Sequence, residues 1–320
     1  MRVGSSAVRP PEPDFSAITT DELRAYRDAE NEYRASEAAR QILGEPHAGA
    51  AIGWQDVALP GRDVPVRVYR PDRTGGDGPA ARSQLPLVVH VHGGGFVGTA
   101  VQCDWTNSYL AARLPAIVVS VEHRLLSPGS SLADAADDAW EVLRHVMRHA
   151  SRWAVDPDRA AVFGESCGAL ICALTAIRAR TAGLRLAAQV LVNPAVDVTD
   201  TMFDYPSIAE YPATPTLALP QLRLIQRLGV PQGTDATALS PVYADDLSGL
   251  APALVVVPTH DPLADHGRRH AERLRAAGTA VQLTEYPGAQ HAFLTLPGVA
   301  PQAQAARAEI AGFLRATLAR

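Results

Sequence analysis

Lysine is absent from this chain: all 29 basic residues among its 320 are arginine, set against 34 acidic ones for a formal net charge of -5. We read the missing lysine as codon usage in a GC-rich genome rather than as chemistry. An acidic chain without basic runs does not neutralise phosphates, which argues against nucleic-acid binding. A Walker-type phosphate loop is excluded outright, because it needs a lysine. Cysteine is scarce, and three is an odd number, so no disulfide framework is expected. Cys167 and Cys172 fall five apart on one expected helix, where bridging geometry is poor. All three are read as free thiols in a reducing compartment. Apolar runs such as Leu85 to Val91 stop at strand length, so no membrane-spanning helix is expected. The stretch Met1 to Asp14 is rich in Pro and Arg and lacks an apolar run, which is unlike a secretory signal. A cytoplasmic location is the expectation.

What is present is enough hydrophobic sequence, 47% of the chain, to bury one large core. No internal repeat interrupts it. Strand-length runs are expected at 64–70, 85–92, 116–122, 160–164, 187–193, 253–259 and 280–286. Most are rich in Val and Leu with little alternation, as parallel strands covered on both faces require. Helical spacing falls between them, near 104–114, 131–150, 167–182, 262–277 and 301–318. That alternation predicts a mostly parallel central sheet flanked by helices. Two regions break it. Residues 14–43 form a charged amphipathic stretch with a Thr-Thr-Asp-Glu helix-start signal at 19–22. Residues 198–240 carry many Pro and Thr residues around a short helical piece near 220–228. Insertions on such a scaffold tend to sit over the site, so both are expected to form a helical cap. Residues 72–84 read as an exposed loop.

The central chemical signal is Gly164-Glu165-Ser166-Cys167-Gly168, a G-x-S-x-G match that ends a strand and opens a helix. A nucleophile on so tight a turn needs small neighbours, and Gly164 and Gly168 supply them. The second signal is His92-Gly93-Gly94-Gly95 at the end of the strand at 85–92. Successive glycines leave backbone N–H groups accessible, as an oxyanion hole requires, at roughly 2.7–4 kcal/mol per donor. We assign Gly94, Gly95 and the Cys167 amide to that hole. A nucleophilic serine also needs a base and an orienting acid, in chain order Ser, Asp or Glu, His. His291, in a loop after the last strand, is the preferred base over His260, His266 and His270. The last two fall on a polar helix face and are expected in solvent. Asp261, directly after the strand at 253–259, is preferred over Asp265, because sites in open α/β sheets form at carboxyl ends of strands.

With those residues placed, the chain resembles the hormone-sensitive-lipase-like (family IV) bacterial esterases over about residues 55–318. The resemblance rests on His92-Gly93-Gly94-Gly95-Phe96, Gly164-Glu165-Ser166-Cys167-Gly168, Asp261-Pro262-Leu263-Ala264-Asp265 and His291-Ala292-Phe293. His123-Arg124-Leu125-Leu126-Ser127-Pro128 is similar to that family's Tyr-Arg-Leu-Ala-Pro-Glu segment. It implies the α/β-hydrolase fold, with a cap segment at 1–45 and a catalytic domain at 46–320 carrying a cap insertion at about 198–240. It implies Ser166, Asp261 and His291 as the triad, and a structural role for His92 in holding the glycine loop. Glu165, Cys167 and Ala169 depart from the family's usual residues, as do His123 and Gly129. Glu165 is a candidate to bond loop backbone or to pair with Arg124.

The function so implied is that of a serine carboxylesterase acting on short- to medium-chain acyl esters, with no metal and no cofactor. A deacetylase or amide hydrolase for one metabolite would use the same triad. A non-catalytic ligand-binding homologue would usually show a damaged one. The partner expected is a small-molecule acyl ester, with neither nucleic acid nor membrane involved, and a homodimer is plausible by resemblance.

Overall fold

Runs of Val and Leu build the centre of this molecule because both faces of each central strand are covered. In the computed structural model, which describes residues 8–72 and 84–319, the strands are β1 (Ala50–Leu59), β2 (Arg62–Pro71), β3 (Leu85–Val91), β4 (Ile117–Val121), β5 (Val155–Glu165), β6 (Ala188–Val192), the two-residue pieces β7 (Ala213–Thr214) and β8 (Leu217–Ala218), β9 (Ala253–His260) and β10 (Val281–Gln290). The loop expected at 72–84 lies, apart from its ends, outside the described residues. Eight strands form one sheet in the order β1-β2-β4-β3-β5-β6-β9-β10, and only the pairings made by β2 are antiparallel.

Helices α1 (Thr20–Arg34) and α2 (Arg40–Leu43) precede the sheet, and α3 (Asp104–Arg113), α4 (Leu132–Arg148), α5 (Ala150–Trp153) and α6 (Cys167–Thr181) connect its first strands. They are followed by α7 (Pro206–Glu210), α8 (Leu219–Gly229), α9 (Ala264–Ala276) and α10 (Ala303–Leu318). The period-two pleat sorts the strand side chains. Leu87, Val89, Val255 and Val257 pack with α4, α6 and α9, while Val88, Leu254 and Val256 pack with α3 and α10. Each fully buried aliphatic side chain contributes roughly 1.5–3 kcal/mol.

Local signals set the helix starts. Thr19 caps α1 and forms a reciprocal capping box with Glu22, and Ser131 does the same for α4 with Asp134. Three features differ from expectation. Strand β1 was not anticipated, because it is an edge strand with only Val57 buried and carries little periodic signal. The helix expected over 131–150 breaks at His149 into α4 and α5. His266 and His270, expected in solvent, are both buried. Helix α9 turns both inward, and the 198–240 region covers His266: the Tyr205 ring lies 4.5 Å from that of His266.

Candidate active site

Ser166 follows β5 and precedes α6 with φ 56° and ψ -122°, a conformation that costs on the order of 1–3 kcal/mol for a non-glycine residue. Its neighbours show why the turn demands glycine. A Cβ on Gly164 would sit 2.3 Å from the Gly168 carbonyl oxygen, and one on Gly168 would sit 2.1 Å from that of Val91. The helix therefore starts in contact with the strands, and the serine side chain is lifted above the carboxyl edge of the sheet.

Sheet order brings the remaining groups to that edge. Strands β9 and β10 are neighbours, so Asp261 and the loop holding His291 lie side by side. His291 Nε2 is 2.8 Å from Ser166 Oγ, and His291 Nδ1 is 2.8 Å from Asp261 Oδ2. A neutral imidazole with its proton on Nδ1 satisfies both contacts: it donates to the carboxylate and accepts from the hydroxyl. Asp261 is fully buried, and its other oxygen accepts from the Leu263 N–H at 2.8 Å. The rival acid, Asp265, instead accepts from the Ser207 N–H and pairs with Arg268. Exposed His260 stacks on Tyr211. Neither joins the chain of contacts at Ser166.

The glycine loop after β3 lies next to the Ser166 turn because β3 pairs with β5. Gly94 has φ 91°, and a Cβ there would meet the Val97 carbonyl oxygen at 1.9 Å. The Gly93 carbonyl is held from two sides, by His92 Nδ1 at 3.0 Å and by Gln102 Nε2 at 3.3 Å. Because a trans peptide points its C=O and N–H in opposite directions, those donors turn the Gly94 N–H the other way. The His92 ring stacks on His123 at 4.3 Å. Burial lowers both rings to about 4, so each is neutral at ordinary pH.

Helix α1 grips the same loop along one face. Arg27 donates to the carbonyls of Phe96 (2.7 Å) and Leu126 (2.5 Å), and Asn31 Oδ1 accepts from the Gly98 N–H (2.9 Å). Arg34 donates to Gln102 Oε1 (2.7 Å) and is braced by Glu30 (2.9 Å). None of these residues was singled out from sequence. Their only signal is a polar stripe at positions 27, 31 and 34, which reads equally well as a solvated helix face.

Glu165 does not pair with Arg124. Arg124 binds Asp134 and Asp138, whereas the Glu165 carboxylate accepts from the Thr295 hydroxyl and its other oxygen has no partner among the described residues. Burial pushes the Glu165 carboxyl above its usual range, opposed by Thr295 and by attraction to His291. The three thiols are free and buried, and burial raises that of Cys167 to about 12. Among the described residues no group of three or more His, Cys, Asp or Glu is arranged to hold a metal ion. No described helix is long and apolar enough to cross a membrane.

Two cavities meet at Ser166. The wider, about 160 Å³, is lined by Gly93–Gly95 and His291, by α1 residues such as Tyr26 and Tyr33, and by Leu217 and Ile225 from the second insertion. The other is narrow, about 10 Å³, and its lining includes Cys167 but neither the glycine loop nor His291.

Comparison with known proteins places this geometry in a family. The alpha/beta hydrolase fold family matches residues 88–295. Carboxylesterase NlhH of Mycobacterium tuberculosis is 38% identical over 250 residues, 75% of this chain and 74% of that protein. Esterase LipI of the same organism is 34% identical over 257 residues, covering 78% and 77%. The hyperthermophilic esterase of Pyrobaculum calidifontis superposes with a TM-score of 0.82 at 30% identity, covering 92% of this chain and 93% of that one. The chain belongs to the hormone-sensitive-lipase-like esterases of the alpha/beta hydrolase fold, a family of serine hydrolases acting on ester bonds.

Proposed function

We propose that this carboxylesterase hydrolyses short- to medium-chain acyl esters with Ser166 as nucleophile, His291 as general base and acid, and Asp261 as the group that orients His291. The observation that carries the assignment is the continuous contact from Ser166 Oγ through His291 to buried Asp261, 2.8 Å at each step. His291 Nε2 takes the hydroxyl proton as Oγ attacks the ester carbonyl, and Asp261 stabilises the imidazolium that forms. The Gly94, Gly95 and Cys167 amides hold the developing oxyanion. His291 then gives its proton to the leaving alcohol. Water, deprotonated by the same nitrogen, attacks the acyl-enzyme, and His291 returns that proton to Ser166 Oγ as the acid leaves. His92, Gly93, Gly164 and Gly168 support this set by holding the loop and the serine turn, and Glu165 braces it against Thr295.

The described part of the segment 1–45 and the segment 198–240 act in this reading as a cap over the catalytic domain, which their residues in the cavity wall support. A cytoplasmic setting fits the three free thiols.

The test is hydrolysis of p-nitrophenyl acetate, butyrate and octanoate by wild type and Ser166→Ala, with fluorophosphonate labelling of both. Turnover and label present in wild type and lost in the variant support the assignment. Activity surviving in Ser166→Ala refutes the nucleophile.

A further inference from the structure

We propose that a second cleft, which shares Arg34 with the catalytic cavity, binds an aromatic monocarboxylate and through Arg34 lowers turnover. The cleft holds about 260 Å³ and lies where the end of α1 and the start of α2 meet β1, β2 and the first turn of α3. Neither Ser166, Asp261 nor His291 lines it. Binding there stands without the esterase reading; only the effect on turnover rests on it.

Two chemistries meet in its walls. Arg34, Arg40 and Arg67 line it together with a single carboxylate, Asp104, in a chain whose formal net charge is -5. Trp54 and Trp105 supply aromatic surface. Trp54 and Arg67 are directly opposed on β1 and β2, and the Arg67 guanidinium lies 5.2 Å from the indole centroid. Trp54 is 48% exposed, so much of that indole is open to a ligand. A guanidinium beside an indole can grip a planar anion by its charge and its ring at once.

Hydrogen bonding narrows the ligand further. Asp104 is spent within the fold: it accepts from Arg67 Nε (2.6 Å) and Nη2 (2.7 Å) and from the Tyr69 hydroxyl (2.7 Å). Arg34 gives Nε to Glu30 (2.9 Å) and Nη1 to Gln102 (2.7 Å). Among the described residues, Arg34 Nη2 and Arg67 Nη1 make no hydrogen bond. Arg40 is the loosest of the three: it meets Glu45 at 3.5 Å with both side chains exposed, a pair worth little. With two guanidiniums paired and one loosely held, the cleft suits a single negative charge better than a phosphate dianion. A carboxylate matches the guanidinium fork. The volume exceeds the roughly 150 Å³ that admits a benzene ring.

The effect on turnover follows from what Arg34 holds. A carboxylate that takes two parallel N–H donors from the outer edge of Arg34 uses Nη1 and Nη2. It therefore competes with Gln102, a neutral acceptor, rather than with Glu30, whose charge-assisted bond is stronger. Gln102 Nε2 in turn holds the Gly93 carbonyl at 3.3 Å. Once Gln102 is released, the peptide that presents the Gly94 N–H is held by His92 alone, and kcat falls with little change in KM.

The experiment begins with equilibrium dialysis of benzoate against the full chain with Ser166 blocked by a fluorophosphonate, so that the catalytic cavity is filled. Benzamide and acetate serve as the neutral and the ringless comparison ligands. The expected result is one benzoate per chain, held at least about tenfold more tightly than either comparison ligand, the worth of one charged contact or one stacked ring. Arg40→Gln and Trp54→Ala replace exposed side chains outside the catalytic set. Each should weaken benzoate about tenfold and leave turnover without benzoate at the wild-type level. On the unblocked enzyme, benzoate should lower kcat for p-nitrophenyl acetate at constant KM, and Arg40→Gln should need about ten times more benzoate for the same loss.

Benzoate bound no better than benzamide or acetate, or bound equally well by both variants, overturns the site. Inhibition that is purely competitive with the ester overturns the coupling through Arg34. A wild type that neither takes the fluorophosphonate label nor hydrolyses esters removes the esterase reading, while benzoate binding that is weakened in both variants still supports the cleft.

Discussion

At the scale of single residues, the site is built from backbone conformations that only certain residues tolerate. Ser166 holds φ 56° because α6 and the strands enclose it, and Gly164 and Gly168 make that enclosure possible. Gly94 is the more sensitive position for catalysis. A methyl there would collide with the Val97 carbonyl and oppose a φ of 91°, so the peptide carrying its N–H must turn. Gly94→Ala should lower kcat by roughly 10²–10³, the loss expected when one oxyanion donor is removed, with a smaller change in KM. Steady-state kinetics on p-nitrophenyl acetate would check this, and a kcat within threefold of wild type would remove Gly94 from the proposed hole. The motif glycines were legible in the sequence because their steric requirement is local. The partner of Glu165 was not: Thr295 is 130 positions away, and no spacing rule connects them.

At the scale of elements, α1 is more than a cover. It reaches the glycine loop through Arg27, Asn31 and Arg34, and the last acts through Gln102 on the Gly93 carbonyl. Arg27 is a positioning residue in this arrangement, because it touches the loop's Phe96 carbonyl and no reacting atom. Arg27→Ala should reduce kcat by about tenfold, equivalent to roughly 1.4 kcal/mol in the barrier, and leave KM for p-nitrophenyl acetate within about twofold. A change confined to KM would mean that α1 shapes the cavity without ordering the loop. Strand and helix positions were legible because a Val- and Leu-rich run, a capping box and a glycine turn each act within a few residues. Strand β1 was missed for the converse reason: an edge strand pairs on one side and buries little, so its sequence carries no strong pattern.

At the scale of the whole molecule, buried histidines tie stability to pH. His92, His123 and His270 are each lowered by burial to about 4. The unfolded chain protonates such rings near pH 6.5 while the folded one keeps them neutral. Unfolding therefore takes up protons between about pH 6.5 and 4. Stability is full above that window and falls as pH drops through it, by up to roughly 1.4 kcal/mol per pH unit for each ring. Urea midpoints at pH 7.5 and pH 5 should differ clearly, with the lower value at pH 5. Equal midpoints would show that the rings are solvated in the folded state. From sequence, His270 was assigned to solvent, because the polar helix face it falls on does not show which of its positions the tertiary packing buries.

The sequence by itself determined the alternation of strand and helix, the strained serine turn, the glycine loop and the identities of Ser166, Asp261 and His291 as the groups to test. Each depends on neighbouring residues or on the chemistry of one side chain. Tertiary structure alone decided that β9 and β10 lie side by side, so that acid and base meet over β5. It also decided that α1 grips the loop, that Glu165 faces Thr295 rather than Arg124, and that two unequal cavities flank the serine. These depend on contacts between residues tens to more than a hundred positions apart, and such contacts exist only once the sheet has closed its order and the helices have packed against it.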